Sequence, residues 1–597
     1  MEAVNRGPEL KGSVDRVTDS TNDLPSGSSR NRSIRIGDLF AERLADLGVE
    51  TAFGIVGGGI APMSHALLRS RIRVVHTRHE AGAAFAATEA SLASGRPTVV
   101  FTTTGPGITN ALTGLFVARR EGATVILVSG ATAAPVRDRW VLQESAPHAM
   151  LGGVYAPGPL FHHATLLEHG EQLGTVLARL ARGVRRPQGF VAHVGIPTPL
   201  QSQEIDRPPR VPQAFELRTD RPLDPADVTR VAELLPGRRV ALWVGFGARG
   251  ASRPIRMLAE RLGAPVMASP RAKGVFDEGH PLYLGVTGFG GHAEVSAALA
   301  RYRPEHVLVL GTRMGELSSG WDRALVPSES FIHVDVDPDV PGLAFPDVPT
   351  LGIAAELTVF LDALLERLPV SSVSAMVWPA VEGWDRPSAL TPRRLGPVRP
   401  QVLMDKLQQV VVDGSEAMVF ADAGNSFAWT IHRLCFERPG RFRVNMGWGS
   451  MGHGGTGPLG AVLHHADKAV TVLGDGAMLM NCEVSTAVQY ELAVVWVVLN
   501  DSQYGMVEHG MRAAGYQPVQ TTIPRTDFAL MARSMGAMGI RVESEEMLEQ
   551  ALEQAMQAPG PVVVDVVIDP DVSAPVVSRL NQLAQQGVAA RAGKAEA

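Results

Sequence analysis

Thr471-Val-Leu-Gly-Asp-Gly-Ala-Met-Leu-Met-Asn481, then Val494-Val-Trp-Val-Val-Leu499 and Asn500-Asp501-Ser502-Gln503-Tyr504, is the stretch on which the reading of this chain turns. An apolar run ends in Gly474-Asp475-Gly476, an amphipathic segment follows, and a second apolar run ends in a polar cluster. The pattern predicts strand, tight turn, helix, strand and polar loop. One βαβ crossover sets the C-terminal ends of the two strands side by side, and with them Asp475 and Asp501. Two carboxylates and a main-chain carbonyl of the loop are hard oxygen ligands. They suit an octahedral Mg²⁺ that keeps positions open for phosphate oxygens. Gly476 lets the backbone approach the phosphates, and the helix that follows aims its N-terminus at them. A lone Gly-Asp-Gly is more often an ordinary βα turn with a solvated Asp. Here strand, turn and second loop stand in register.

At 597 residues the chain is too long for one core. A prior of about 150 residues per domain gives three or four. Hydrophobic content of 45% with 19% charged residues describes a soluble globular protein. A formal net charge of −6 over this length gives no reason to expect a nucleic acid or an anionic membrane as partner. No apolar run reaches the length of about 18 residues that a membrane span needs. The N-terminus lacks the apolar core of a secretory signal. Cys435 and Cys482 are far apart and match no metal spacing, so they point to buried thiols in a reducing compartment and a cytoplasmic protein.

Residues 1–32 are polar, rich in Ser, Asn, Asp and Arg, and read as a disordered tail. From residue 33 to about 200, helical segments alternate with short apolar strands at Thr51–Ile55, Val74-Val75, Thr98–Phe101 and Thr124–Val128. That alternation predicts a parallel, doubly wound sheet. A Pro-rich linker with Arg207-Pro-Pro-Arg-Val-Pro212 leads to a second α/β domain, 225–370. It has strands at Val240–Val244, Pro265–Ala268, His306–Leu310 and Phe331–Asp335. A linker with Trp378-Pro379 leads to a third domain, 400–575, and 576–597 read as a polar tail. The fold class is therefore α/β, with three doubly wound parallel-sheet domains. In the second domain Gly245-Phe-Gly-Ala-Arg-Gly250 follows a strand, but no acid ends the next strand at Ala268-Ser269. The dinucleotide fingerprint is thus incomplete and a tight βα turn is the better reading.

The first domain carries Thr77-Arg-His-Glu80 ahead of a small-residue helix, and Thr102-Thr-Thr-Gly-Pro-Gly-Ile-Thr-Asn110. A carboxyl at Glu80, at a sheet edge in an apolar setting, suits proton transfer, although such a Glu is often only a helix N-terminal charge. Read in order, several motifs line up. They are Gly54-Ile-Val-Gly-Gly-Gly59, Arg78-His-Glu80, Thr104-Gly-Pro-Gly-Ile-Thr-Asn110, Asp422-Ala-Gly-Asn425, Gly449-Ser-Met-Gly452 and the Gly-Asp-Gly element. Together they resemble thiamine diphosphate enzymes, in the acetohydroxyacid synthase and pyruvate oxidase branch, over about residues 34–575. The first, second and third domains then correspond to pyrimidine-binding, central and diphosphate-binding domains.

The resemblance implies thiamine diphosphate and Mg²⁺ as cofactors and assigns roles. Glu80 is similar to the glutamate that hydrogen-bonds N1′ of the cofactor pyrimidine. Gly449 accepts from the 4′-amino group through its carbonyl, and Met451 wedges beneath the rings. Gly424, Asn425 and Ser426, with Gly476 and Ala477, match the segments that contact the diphosphate. Asp475, Asp501 and the Gln503 carbonyl hold the metal, where the usual loop has a second asparagine in place of Asp501. In this family one site draws on two subunits, which implies a homodimer or homotetramer.

The departures shape the substrate. Gly57, Met506 and Val507 match pocket residues, and Gly-Met-Val at 505–507 is similar to the acetohydroxyacid synthases. The bulky Trp that screens their acceptor pocket aligns with Gly510, and their pocket glutamine aligns with Ala131. The segment associated with flavin binding is Arg313-Met-Gly-Glu-Leu317 here, matching only in its first Arg, which counts against FAD. His453 and His509 are candidates for proton relay, with packing or surface roles the commoner use of such residues. The expectation is a carboligase that decarboxylates a 2-oxo acid, pyruvate first among donors, and adds the acyl unit to a carbonyl acceptor larger than usual. A decarboxylase that releases an aldehyde is the first alternative, and a non-catalytic cofactor-binding relative the second.

Overall fold

The computed structural model describes residues 33–149, 151–207, 223–369, 383–464, 467–480 and 482–576. Both expected tails, apart from residue 576, lie outside the described residues, as do residues 208–222 and 370–382 of the two Pro-containing linkers. Among the described residues three six-stranded parallel sheets carry the fold, and a two-stranded antiparallel ribbon pairs Ser33–Arg35 with Glu204–Asp206. The first contains β1 (Thr51–Gly54), β2 (Arg73–His76), β3 (Thr98–Thr102), β4 (Thr124–Ala131), β5 (His163–Leu166) and β6 (Phe190–Pro197). Their order is β2-β1-β3-β4-β6-β5. Strands β3, β4 and β6 are buried along their length apart from Thr124, as expected of a parallel sheet covered on both faces.

The central sheet contains β7 (Val240–Val244), β8 (Val266–Ala268), β9 (Tyr283–Val286), β10 (His306–Leu310), β11 (Ser330–Asp335) and β12 (Thr350–Ala354). Its order, β9-β8-β7-β10-β11-β12, is that of a dinucleotide-binding sheet. At the switch point beyond β7 and β10 the two glycine loops lie against each other. A Cβ on Gly245 would lie 2.1 Å from the Gly311 carbonyl oxygen, so the two loops touch backbone to backbone. Phe246 follows in a short 3₁₀ turn, as the tight-turn reading expects. Guanidiniums of Arg271 and Arg249 sit 3.9 and 4.4 Å from the centre of its ring.

The last sheet contains β13 (Met418–Ala421), β14 (Phe442–Val444), β15 (Ala469–Gly474), β16 (Val494–Asn500), β17 (Met538–Val542) and β18 (Val562–Val567), in the order β14-β13-β15-β16-β18-β17. Two helices weld it to the first sheet. α1 (Glu80–Ser94) is almost wholly Ala, Gly and Ser, and it is buried on every side from Glu80 to Ser91. It packs between α2 (Pro106–Glu121) and a helix of the last domain, here α4 (His453–Val462). Small residues set the approach. A Cβ on Gly460 would lie 1.9 Å from the Ala86 carbonyl oxygen, and one on Gly114 2.4 Å from Ala84 Cβ. One apolar core accordingly runs from Phe53 and Ala83 through Leu459 to Trp496 and Val563. The remaining helices used below are α3 (Asn425–Arg433), α5 (Asp475–Met480) and α6 (Gly505–Ala513). Among the described residues no helix is long and apolar enough to cross a membrane.

Candidate active site

Gly474 of β15 pairs with Leu499 of β16, so Asp475 and the loop beginning at Asp501 leave neighbouring strand ends. Asp475 is 3% exposed. Its carboxylate accepts from the backbone N–H of Gly476 and of Ser502, each at 2.7 Å. Burial, and then the charge of Asp501, push Asp475 up to about 7. Burial pushes Asp501 up to about 6. A cation bound between them would bring both back toward the charged form. Asn425, at the start of α3, converges on the same point: a Cβ on Gly505 would lie 2.6 Å from Asp501 Oδ2 and 2.9 Å from Asn425 Nδ2. Asn425 Oδ1 is buried without a hydrogen-bond partner. The loop is pinned from outside by a bridge from Gln503 to Thr522 and by Tyr504 N–H donating to the Thr521 carbonyl at 2.8 Å.

Among the described residues no group of three or more His, Cys, Asp or Glu side chains could hold a metal. Two carboxylates with carbonyl oxygens beside them are the kind of donor set that would suit Mg²⁺. Gly424, at φ +132°, turns the chain into α3, and the Ser426 hydroxyl is turned inward onto the Asp422 carbonyl at 2.6 Å. Only its backbone therefore faces the start of the helix. Ala477 packs in the core, so it too can meet a ligand only through its backbone. Gly476 lies against the neighbouring turn. A Cβ there would meet Tyr504 Cε1 at 2.7 Å and Met451 Cε at 3.4 Å.

Gly449 has φ +69°, where glycine is favoured. The turn it opens is held by Asp422, whose carboxylate accepts from the N–H of Gly452 at 2.9 Å and of Gly455 at 3.2 Å. Burial pushes Asp422 up to about 6. Just beyond, His453 Nε2 meets Glu89 Oε1 at 3.0 Å, deep between α1 and α4. Burial opposes charge on both groups, but their hydrogen bond and attraction win: His453 is raised and Glu89 lowered. This buried pairing makes His453 part of the interdomain packing. His509 instead meets the Pro570 carbonyl at 2.9 Å.

Glu80 opens α1 and is 8% exposed. Its Oε2 accepts from Asn110 Nδ2 at 3.0 Å, and a Cβ on Gly107 would lie 3.4 Å from its Oε1. The Gly105-Pro-Gly107 turn thus borders this carboxyl at the start of α2. The sequence reading missed what seats Glu80. Glu483, fully buried, accepts from the N–H of Arg78 at 2.9 Å and of His79 at 3.1 Å. It lies far along the chain and no local pattern marks it.

Within one chain Glu80 and the Gly449 turn are not brought together. Glu80 touches the first turns of α1 and α2. The turn instead packs further along both: Trp448 stacks on Phe116 at 4.6 Å, Gly447 N–H donates to Glu121 at 3.0 Å, and His453 reaches Glu89. At 1.5 Å rise per residue, Glu89 is about 13 Å along α1 from Glu80. Gly57 belongs to the Glu80 half, where a Cβ would meet Thr103 Cβ at 2.8 Å. Val507 and Gly510 belong to the other half, on α6. Val507 is exposed, and nothing lies within 4 Å of a Cβ built on Gly510. Met506 leans into the last domain's core. Ala131 packs with Tyr155 and Leu166.

Three models of one family match the chain. They describe the N-terminal thiamine pyrophosphate binding domain at 34–150, the central domain at 228–364 and the C-terminal thiamine pyrophosphate binding domain at 422–566. An acetolactate synthase of Mycobacterium leprae is 29% identical over 549 residues, covering 88% of this chain and 86% of that protein. A probable acetolactate synthase large subunit of Methanocaldococcus jannaschii is 27% identical, covering 90% of this chain and 93% of its own length. The acetolactate synthase large subunit of Haemophilus influenzae is also 27% identical, over 89% of this chain and 94% of that one. With three matched domains in order on three parallel sheets, this chain belongs to the thiamine pyrophosphate enzyme family.

Proposed function

We propose that the chain is a thiamine diphosphate-dependent carboligase. It decarboxylates a 2-oxo acid, pyruvate as the favoured donor, and joins the acyl unit to a carbonyl acceptor bulkier than those of its acetolactate synthase relatives. The observation that carries this reading is the open space beside Gly510, on the same helix as a Gly-Met-Val pocket segment. Thiamine diphosphate, when bound, supplies the nucleophilic carbon and the electron sink that lets carbon dioxide leave. Everything else falls to the chain. Asp475, Asp501 and the Gln503 carbonyl hold Mg²⁺. Gly424, Asn425, Ser426, Gly476 and Ala477 receive the diphosphate, mostly through backbone. The Gly449 carbonyl and Met451 orient the rings. Glu80 holds and moves a proton at its carboxyl.

The separation of Glu80 from the Gly449 turn along α1 and α2 supports a composite site. A second copy of the chain brings its own turn and metal loop to Glu80, so a homodimer is the smallest active unit. Arg313-Met-Gly-Glu-Leu317, and the lack of an acid after the Gly245 turn, support an enzyme without flavin, and a flavin absorption band at unit occupancy would overturn that. Two free cysteines, both partly buried, fit a reducing cytoplasm. The test is titration of apo protein with thiamine diphosphate and Mg²⁺, followed by carbon dioxide release from pyruvate and product mass spectrometry across graded acceptors. Ligation products support the reading. An aldehyde as sole product makes the chain a decarboxylase, and no turnover at all makes it a cofactor-binding relative.

A further inference from the structure

The loop between β4 and β5 gathers three non-glycine residues with left-handed backbone. Asp138, Trp140 and Gln143 all have φ between +57° and +59°, a region non-glycine residues rarely enter. The base of the loop is firmly closed. Thr132 N–H donates to the Ser145 carbonyl at 3.0 Å, and Ser145 N–H returns to Thr132 Oγ1 at 2.9 Å. Arg137 grips Glu168 with two bonds of 2.9 and 2.8 Å, and Asp138 N–H donates to Glu144 at 2.7 Å. The apex between these anchors is apolar and bare: Trp140 is 99% exposed and Leu142 87%. A fixed, strained loop that holds an indole fully in water is unfavourable for a free surface and sensible for a docking one.

The loop also has an address. Gln143 lies on the glycine turn beside Glu80: a Cβ on Gly105 would meet Gln143 Cβ at 2.9 Å, and Gly107 in the same turn borders the Glu80 carboxyl. The other half of the site has the complementary lack. Its α6 exposes Tyr504 at its entry and Val507, and leaves open space at Gly510. Whatever brings α6 to Glu80 brings it against this loop.

We infer that the Trp140–Leu142 apex docks on α6 of a second copy of this chain and forms the acceptor-side wall of that site, with the indole of Trp140 occupying space left by Gly510. The wall removed from α6 is thereby supplied from the other subunit, and the acceptor pocket is reshaped rather than simply enlarged. Trp140 becomes a specificity-determining residue, contributed together with Glu80 of the same chain. This rests on the composite-site reading above.

The test is proximity, measured apart from activity. Full-length protein carrying both Trp140→Cys and Gly510→Cys, loaded with thiamine diphosphate and Mg²⁺, is treated with a short bismaleimide and run on a denaturing gel. The single variants control for Cys435 and Cys482. The expected result is a covalent dimer in the double variant only. A native dimer that fails to cross-link, or a protein that stays monomeric with cofactor, overturns the inference. Cross-linking without ligation activity upholds the geometry and removes the carboligase reading; ligation without cross-linking does the reverse. As a second measurement, Trp140→Ala is expected to shift kcat/KM between a small and a branched acceptor by about tenfold towards the branched one. An unchanged ratio in a folded, cofactor-binding dimer also overturns the assignment.

Discussion

The first and last sheets are built to one plan and furnished differently. Both are fully parallel, and in both the second strand leads, followed by the first, third, fourth, sixth and fifth. In the last sheet the loops after the first, third and fourth strands deliver Asn425, Asp475 and Asp501. In the first sheet the same three strands lead to Gly57 and Thr103 and end at Ala131, and none of these ionises. The buried acid beside them, Glu80, comes from the helix after the second strand. One copy of the plan gathers side-chain oxygens at its switch point, which on the reading proposed above would hold a cation. The other keeps that point neutral and sets a lone carboxyl beside it. Topology fixes where chemistry can happen, and the residues after each strand decide which chemistry it is.

The contrast breaks most sharply at Glu80. Glu80→Gln keeps the hydrogen bond partner of Asn110 and removes the transferable proton. Turnover and proton exchange at the reactive carbon of bound cofactor are expected to fall by about 10²–10⁴. Cofactor affinity measured by calorimetry should hardly move. Near-normal exchange would show that the neutral sheet contributes no acid–base group.

Asp475→Ala attacks the other sheet and should show the opposite signature. Cofactor affinity is expected to drop by at least about tenfold and to lose its dependence on Mg²⁺, since few protein oxygens hold this ion. Unchanged Mg²⁺-dependent binding places the cation elsewhere.

The two acids of that sheet also set a pH dependence. Asp475 and Asp501 are raised to about 7 and about 6, so protons compete with the cation below neutrality. For a carboxyl raised on folding, the folded state holds protons that the unfolded state has lost. The apo protein therefore loses stability as pH climbs from the ordinary carboxylate range to about 7. Mg²⁺ with thiamine diphosphate reverses this by neutralising both charges. Thermal shift on loading is expected to be larger at pH 8 than at pH 5.5, and apparent Mg²⁺ affinity should rise by about tenfold from pH 6 to 7. A flat profile separates the two acids from the metal.

Much of this plan was legible from strand–helix alternation and from the register of Gly474-Asp475-Gly476 with Asn500-Asp501. The helical segments expected between the strands of the first domain are found, with Glu80–Ser94 and Pro106–Glu121 among them. What escaped notice were strands whose apolar run is broken by a buried polar residue. β18 carries Asp565, fully buried and bonded to Asn500 Nδ2 at 2.8 Å and Phe528 N–H at 3.0 Å. β6 carries His193, bonded to Ser129 at 2.8 Å and to the Val154 carbonyl at 2.7 Å. Their partners lie far along the chain, so local pattern cannot show that these groups are satisfied. The same holds for Glu483 and Asp422, which seat Glu80 and the Gly449 turn. Motifs mark residues that meet a ligand by type and spacing, whereas residues that hold those motifs are marked only by the fold.

The smallest effect is expected at Gly510, where the two halves meet. Gly510→Trp restores an indole to α6 at a point where a single chain offers no obstacle within 4 Å. The donor side, with Val507 and the metal loop, is left as it is, so donor consumption should persist. A hydrophobic wall discriminates a missing methylene by only about 1–3 kcal/mol. Small 2-oxo acid acceptors should therefore change by a few-fold at most, while bulky acceptors lose about tenfold or more relative to them. If Trp140 of the partner subunit already stands in that space, the added indole should also weaken the dimer, and combining it with Trp140→Ala should restore association. Sedimentation of the three variants against graded-acceptor kinetics reads both effects. Wild-type acceptor preference in Gly510→Trp would put residue 510 outside the pocket and leave the two sheets, with no wall between them, as the whole of the site.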